Sequence, residues 1–259
     1  MRFFLFLIVF LFVACQNQQS PETKEIITKR PLLCKSDSII NASNMLYNMK
    51  KLEKSKVSFL FRDFEYTANF DDGLYKYTRK FIAENGDTIF DVLTNSAFER
   101  FVNSEKTEVS EEKAKAYSNS INSVFYFFLL PQKLNDPAVK KEYIGKTSIN
   151  SKDYHTIKVT FQPIGGGEDH EDEFMYWFET STFKMEMFAY NYQTNGGGIR
   201  FRTLKNDTVS AGITFQNYYN LKPNSLTTPL DSLPFLWTKN QLDTLSVIEN
   251  KNIMVTLFD

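Results

Sequence analysis

The feature that most constrains this fold is a series of short strand-patterned segments joined by very little chain. Segments near 140–147, 154–162, 173–179, 183–192, 198–204 and 209–219 carry the signal, and loops at 163–172, 180–182, 193–197 and 205–208 separate the last five. Antiparallel neighbours accept such short connections, whereas parallel neighbours need a crossover of about a dozen residues or more. The second half therefore reads as an antiparallel meander. In EFMYWF both parities are apolar, Phe174, Tyr176 and Phe178 against Met175 and Trp177. The next strand adds Phe183, Met185 and Met187 on one expected face and Phe188, Tyr190 and Tyr192 on the other. A sheet wet on one side alternates apolar with polar, so both faces are expected to be covered.

The first half has the same character with helices inserted. Residues 38–54 place Ile39, Met45, Leu46, Met49 and Leu52 on one broad helical face. Residues 57–70 read as a strand with Leu60, Phe64, Tyr66 and Ala68 together, and 74–83 alternate Tyr75, Tyr77 and Phe81 against Lys76, Thr78 and Lys80. Asn85-Gly86 predicts a type I′ hairpin turn, followed by strands near 88–94 and 97–103. From Glu111 to Leu130, Ala114, Tyr117, Ile121, Val124 and Phe128 form a helical stripe. Ser110 is placed to cap it, Glu111 and Glu112 suit its first turn, and Pro131 stops it. Phe125, Phe127 and Leu129 widen the stripe, so this helix end is expected to be buried on most sides. A proline-dotted stretch, 222–235, reads as a surface wrap, with Leu245–Ile248 and Ile253–Phe258 as closing strands. The fold class is mainly β (α+β): a large curved antiparallel sheet forming a half-open barrel over one or two helices.

The N-terminus speaks to location. Phe3 to Val13 is eleven apolar residues after Met1-Arg2. That is short for a membrane span and fits the apolar region of a secretory signal. It ends in Ala14-Cys15, which resembles the bacterial lipobox, in which the cysteine is lipidated and becomes the first residue. Residues 1–14 thus read as a lipoprotein signal peptide, 15–36 as a lipidated tether and 37–259 as one domain. An ordinary anchor or an unlipidated signal is the alternative. No aspartate follows Cys15, which by resemblance to known sorting rules favours the outer membrane, on its periplasmic face. The 25 Phe and 13 Tyr supply ample aromatic burial. Net charge is −1 and no basic block occurs, so nucleic acid is not an expected partner. Beyond Cys15 the chain has one cysteine, Cys34, so no internal disulfide can form.

A lipobox, strands, a mid-chain helix and a meander with a Tyr-Trp strand together resemble the LolA/LolB-like lipoprotein-carrier architecture. Lys146–Pro223 more closely resembles an uncharacterised family of Bacteroidetes-type outer-membrane lipoproteins. The residues that carry this are Gly165–Gly167, Tyr176-Trp177, Ala189-Tyr190, Gly196–Gly198 with Arg200-Phe201-Arg202, and Gly212–Phe215. The resemblance implies a half-open barrel enclosing helices and an apolar cavity. It brings no known activity.

Residues 165–173, GGGEDHEDE, look most like a site. No metal is expected there. The glycines precede the acids instead of interrupting them, unlike a calcium loop. Zinc favours two or more His or Cys ligands. The second histidine, His155, lies roughly 23 Å from the loop along an extended strand at ~3.3 Å per residue. His155 shares parity with Ile157, Val159 and Phe161 and reads as a core histidine. In a meander, loops 163–172 and 193–197 fall at one end of the sheet. Glu168, Asp169, His170, Glu171 and Asp172 then stand near Arg200 and Arg202 as a charged rim. A plain solvated hairpin tip is the simpler reading. For the aromatic strands, the functional reading is an apolar cavity lined by Phe174, Tyr176, Trp177, Phe183, Met185 and Met187. The plain one is helices on one side and loops on the other.

No catalytic motif is present: neither Gly-x-Ser-x-Gly nor His-Glu-x-x-His occurs. The expectation is a non-catalytic binding module without cofactor, attached to the membrane by its lipid and holding an apolar molecule such as a lipid or acyl chain. The sequence points to no protein partner. Alternatives are a structural or interaction lipoprotein with a filled core and, less favoured, a hydrolase using residues 168–173.

Overall fold

A computed structural model describes residues 34–163, 172–193 and 196–258. The chain enters through α1 (Lys35–Leu46) and a 3₁₀ turn at Met49–Glu53. Six strands follow: β1 (Lys54–Phe61), β2 (Phe64–Asp71), β3 (Leu74–Ile82), β4 (Thr88–Thr94), β5 (Phe98–Val102) and β6 (Glu105–Thr107). The long helix α2 (Glu111–Phe128) leads through a second 3₁₀ turn, Gln132–Asn135, into β7 (Val139–Ile149), β8 (Lys152–Phe161), β9 (Phe174–Glu179) and β10 (Met185–Tyr192). Then come β11 (Gly198–Ser210), β12 (Ile213–Lys222), α3 (Leu233–Thr238), β13 (Asp243–Ile248) and β14 (Asn250–Leu257).

The protein is mainly β, with few helices and two large antiparallel sheets. The first sheet runs β14-β1-β2-β3-β4-β5-β6 and the second β13-β12-β11-β10-β9-β8-β7. The expected single curved sheet is thus divided in two. The division arises because the closing segment changes partners at Glu249: β13 pairs with β12, and β14 with β1. The seam is bridged by the Asn250 amide donating to Asn217 Oδ1 (2.9 Å) and the Val255 amide donating to Ser210 Oγ (3.1 Å).

Several boundaries differ from the sequence reading, each for a local reason. Residues 57–70 are two strands, because Arg62 takes φ +55° and turns the chain. The helix expected over 38–54 breaks at Asn48, φ +57°. At 84–87 Gly86 has φ +88° while Asn85 has no positive φ, so the turn is not type I′. The loop expected at 205–208 is strand. β11 absorbs an irregularity between Leu204 and Asn206 and continues to Ser210, and the turn falls at Ala211-Gly212. That hairpin tip docks on the first turn of structure: Asn48 Nδ2 donates to the Gly212 carbonyl (2.8 Å), and the Thr214 amide to that of Tyr47 (3.1 Å).

α2 forms as the sequence predicts, with Ser110 Oγ accepting from the Lys113 amide (3.4 Å). It packs on both sheets. Ile121, Phe125 and Phe128 join Phe59, Tyr66 and Tyr77 of the first sheet and Phe215 of the second in one core. A second core on the inner face of the second sheet holds Ile157, Val159, Phe174, Tyr176, Phe178, Met185 and Phe188. Tyr126 and Phe127 of α2 pack against it. A third core lies on the outer face of that sheet. There Trp177, Met187, Ala189 and Phe201 pack beneath Leu230, Leu233 and Trp237. The surface wrap is therefore a cover with its own short helix, and it explains why EFMYWF is apolar on both parities.

Candidate functional site

Between α2 and the inner faces of both sheets lies a half-open cavity of about 900 Å³. Asn122, Ser123, Tyr126 and Phe127 of α2 form one wall, and Phe61, Tyr75 and Tyr77 of the first sheet another. The second sheet contributes Phe161, Phe174, Tyr190 and Tyr192, with Arg200, Arg202, Tyr218, Asn220 and Ile248. Small-molecule sites typically span ~300–1,000 Å³, with aromatic walls and a few placed polar groups.

The aromatic walls are ordered by mutual contact. Tyr77 stacks on Phe125, ring centroids 4.0 Å apart, and Phe174 stacks on Tyr190 at 5.2 Å. The buried hydroxyls of Tyr126 and Tyr176 share a 2.8 Å hydrogen bond, which ties α2 to β9. Burial raises the pKa of both phenols, so both stay neutral. Tyr77 is raised for the same reason, and its buried hydroxyl has no hydrogen-bond partner among the described residues.

The residues singled out in the sequence do not all meet here. Phe174 lines the cavity. Tyr176 lies behind the wall, bonded to Tyr126, and Met185 is in the same inner core. Trp177 and Met187 are in the outer core, across the sheet. Met185 and Met187 separate because β10 bulges between them, so residues of equal parity face opposite ways. Phe183 sits in the β9–β10 turn at φ +62° and stacks on His155 at 6.0 Å. His155 is buried, takes part in a hydrogen bond with the Tyr143 hydroxyl through Nδ1 (3.2 Å), and does not line the cavity. Its pKa is lowered, chiefly by burial and then by Lys35 and Lys146.

Of the expected charged rim, Asp172, Arg200 and Arg202 come together on the cavity wall. Cys15, Glu168, Asp169, His170 and Glu171 lie outside the described residues, as do Gly165–Gly167. Arg202 is 7% exposed. Its Nη2 donates to the Tyr190 hydroxyl (3.0 Å), and its guanidinium carbon lies 4.1 Å from the Phe127 ring centroid. Arg200 donates to the Tyr192 hydroxyl and to the Ile199 carbonyl. Among the described residues no three His, Cys, Asp or Glu side chains cluster as metal ligands would. Also among them, no helix is long and apolar enough to cross a membrane.

The α2 and first-sheet walls were missed in the sequence. Phe125, Phe127 and Leu129 outside the main stripe were the signal, since a helix apolar on two faces touches two partners.

The chain belongs to the family of unknown function DUF6503, whose description matches residues 1–250. No curated protein matches it. Its fold is similar to that of a LolA superfamily protein from Nitrosomonas europaea, at 10% identity and a TM-score of 0.49, covering 86% of this chain and 94% of that one. A putative outer membrane lipoprotein-sorting protein domain from Vibrio parahaemolyticus gives 6% identity and a TM-score of 0.44, covering 84% and 92%. The Mycobacterium tuberculosis lipoprotein LppX gives 8% identity and a TM-score of 0.26, covering 62% and 90%.

Proposed function

We propose that the protein is a non-catalytic binding module that holds an apolar molecule, a lipid or acyl chain, in the cavity beneath α2. The observation that carries this is the cavity itself: about 900 Å³ walled by Phe61, Tyr75, Tyr77, Phe127 and Phe174 and open on one side. The wall is mixed, these rings alternating with polar groups such as Asn122, Arg202 and Asn220, and an acyl chain would cover its apolar part. In this reading Cys15 carries the lipid that attaches the protein to the periplasmic face of the outer membrane, and 15–36 is the tether. The support is the apolar run ending in Ala14-Cys15.

One preparation tests both halves. Protein purified from its own membranes and examined by native mass spectrometry should carry a co-purifying lipid. Val124→Trp, which fills the cavity from α2, should lose that mass while melting normally. Labelled fatty acid should enter the wild type and not Cys15→Ser. A clean ligand-free mass would instead favour an envelope protein whose own side chains fill the core, and equal labelling of both chains would remove the anchor.

A further inference from the structure

Resting on that reading, we infer that the cavity takes an anionic amphiphile, and that Arg202, with Arg200 beside it, binds its charged head. Arg202 is buried, faces the cavity and has no ion-pair partner among the described residues. Its Nε has no hydrogen-bond partner there at all. Phe127, Phe188 and Tyr190 surround the guanidinium, with ring centroids 4.1, 5.4 and 5.5 Å from its central carbon. Rings of this kind hold a cation in place, but they do not accept the in-plane N–H groups along its edge. Across the sheet, Arg202 stands opposite Phe188 on one side and Asn220 on the other, so neither neighbouring strand supplies a carboxylate.

Buried guanidinium groups are ordinarily paired and fully hydrogen-bonded. One that is neither among the described residues, and that looks into a ligand-sized space, is completed by an anion in that space. Arg200 adds a second positive charge on the same face of β11, steadied by Tyr192. The other cavity charges leave this excess in place. Lys133 and Asp136 are paired with each other at 3.1 Å, and Arg62 adds another cation. Asp172 is the one further carboxylate among the described lining residues. A guanidinium fork binds carboxylate and phosphate alike, so the shared chemistry is a planar or tetrahedral oxyanion on a single acyl chain. The chain would lie along Phe127, Phe174, Tyr75 and Tyr77.

The test is equilibrium binding of radiolabelled dodecanoate, dodecyl phosphate and dodecanol to the full-length protein in phosphatidylcholine nanodiscs, with empty nanodiscs subtracted. The wild type should bind at least one of the anions tenfold or more tightly than dodecanol, and the better anion identifies the head. Arg202→Met and Arg202→Gln should both abolish that preference while still binding dodecanol. Equal binding of all three by the wild type, or a preference that survives both substitutions, would overturn the inference and leave the apolar cavity standing. Failure of all three to bind would overturn the cavity reading, and this inference with it.

Discussion

The two sheets each bury arginine on the face toward α2, and they treat it differently. In the first sheet Arg79, Asp91 and Arg100 lie side by side across β3, β4 and β5. Asp91 is fully buried and accepts four hydrogen bonds, two from each guanidinium, at 2.6 to 3.0 Å. Both arginines then reach α2: Arg79 donates to Ser120 Oγ (3.1 Å), and Arg100 lies 3.6 Å over the Tyr117 ring. In the second sheet the corresponding row is Phe188, Arg202 and Asn220. The first row gives both guanidinium groups a shared anion and fastens the helix. The second holds its charge among aromatic rings, with one donor that has no partner among the described residues. A buried arginine is therefore informative only together with its cross-strand neighbours.

The contrast is broken most directly by removing the central group of each row. Asp91→Ala leaves two buried guanidinium groups without their anion and should cost ~3–5 kcal/mol in urea unfolding. Arg202→Met replaces a buried charge that has no ion-pair partner among the described residues with an apolar side chain, and should change stability by less than about 1 kcal/mol, or raise it. Equal losses for the two would show that Arg202 is structural after all.

A smaller effect tests the neutral polar pair behind the cavity. Tyr126→Phe strands the Tyr176 hydroxyl in the core and should cost ~1–3 kcal/mol. Adding Tyr176→Phe removes the stranded group, so the double variant should recover much of that loss. A double variant as unstable as the sum of the singles would mean that ring packing, not the 2.8 Å bond, holds α2 against β9.

The smallest effect concerns a carboxylate whose partners are all local. Glu179 accepts from the amides and hydroxyls of Ser181 and Thr182 at the β9–β10 turn, and its pKa falls from an ordinary value of 4.5 to about 2, the Thr182 hydroxyl contributing most. A depressed carboxylate contributes stability that is complete above the unfolded pKa and is lost as pH falls toward the folded one. Wild type should exceed Glu179→Gln slightly at pH 6, and the gap should close between about pH 4.5 and pH 2. A gap that persists at pH 2 would assign the effect to shape rather than charge.

How much of this was legible in the sequence depended on whether local chemistry or distant pairing decided each feature. The strand alternation and the α2 stripe are local, and both gave the right element types. The β11–β12 turn was misplaced because Lys205-Asn206-Asp207 is polar like a loop, yet it is strand beside an irregularity. The division into two sheets depends on Glu249, where nothing in the residue type marks a change of partner. At the cavity, the aromatic strand drew attention to Phe174 and the glycine-flanked loops to Arg200 and Arg202, and all three line it. Tyr75 and Tyr77 could not be assigned to the same space, because that requires knowing that the first sheet folds back over α2.

The bulge in β10 has a consequence for how this chain tolerates change. A strand is a signal of period two, and the residue inserted at Glu186 is a slip of half a period. Upstream of it the inner-facing residue is Met185, and downstream the inner-facing residues are Phe188 and Tyr190, with Met187 and Ala189 turned outward. Glu186 itself points away, accepting from Lys152 and the Tyr154 hydroxyl. Deleting that one residue would restore the rhythm and leave everything after it facing as it does now, Tyr190 toward the cavity and Met187 away from it. Along this strand Glu186 is the spare residue: its loss would straighten the backbone and release its bonds to Lys152 and to Tyr154 of the outer core, without exchanging the two faces.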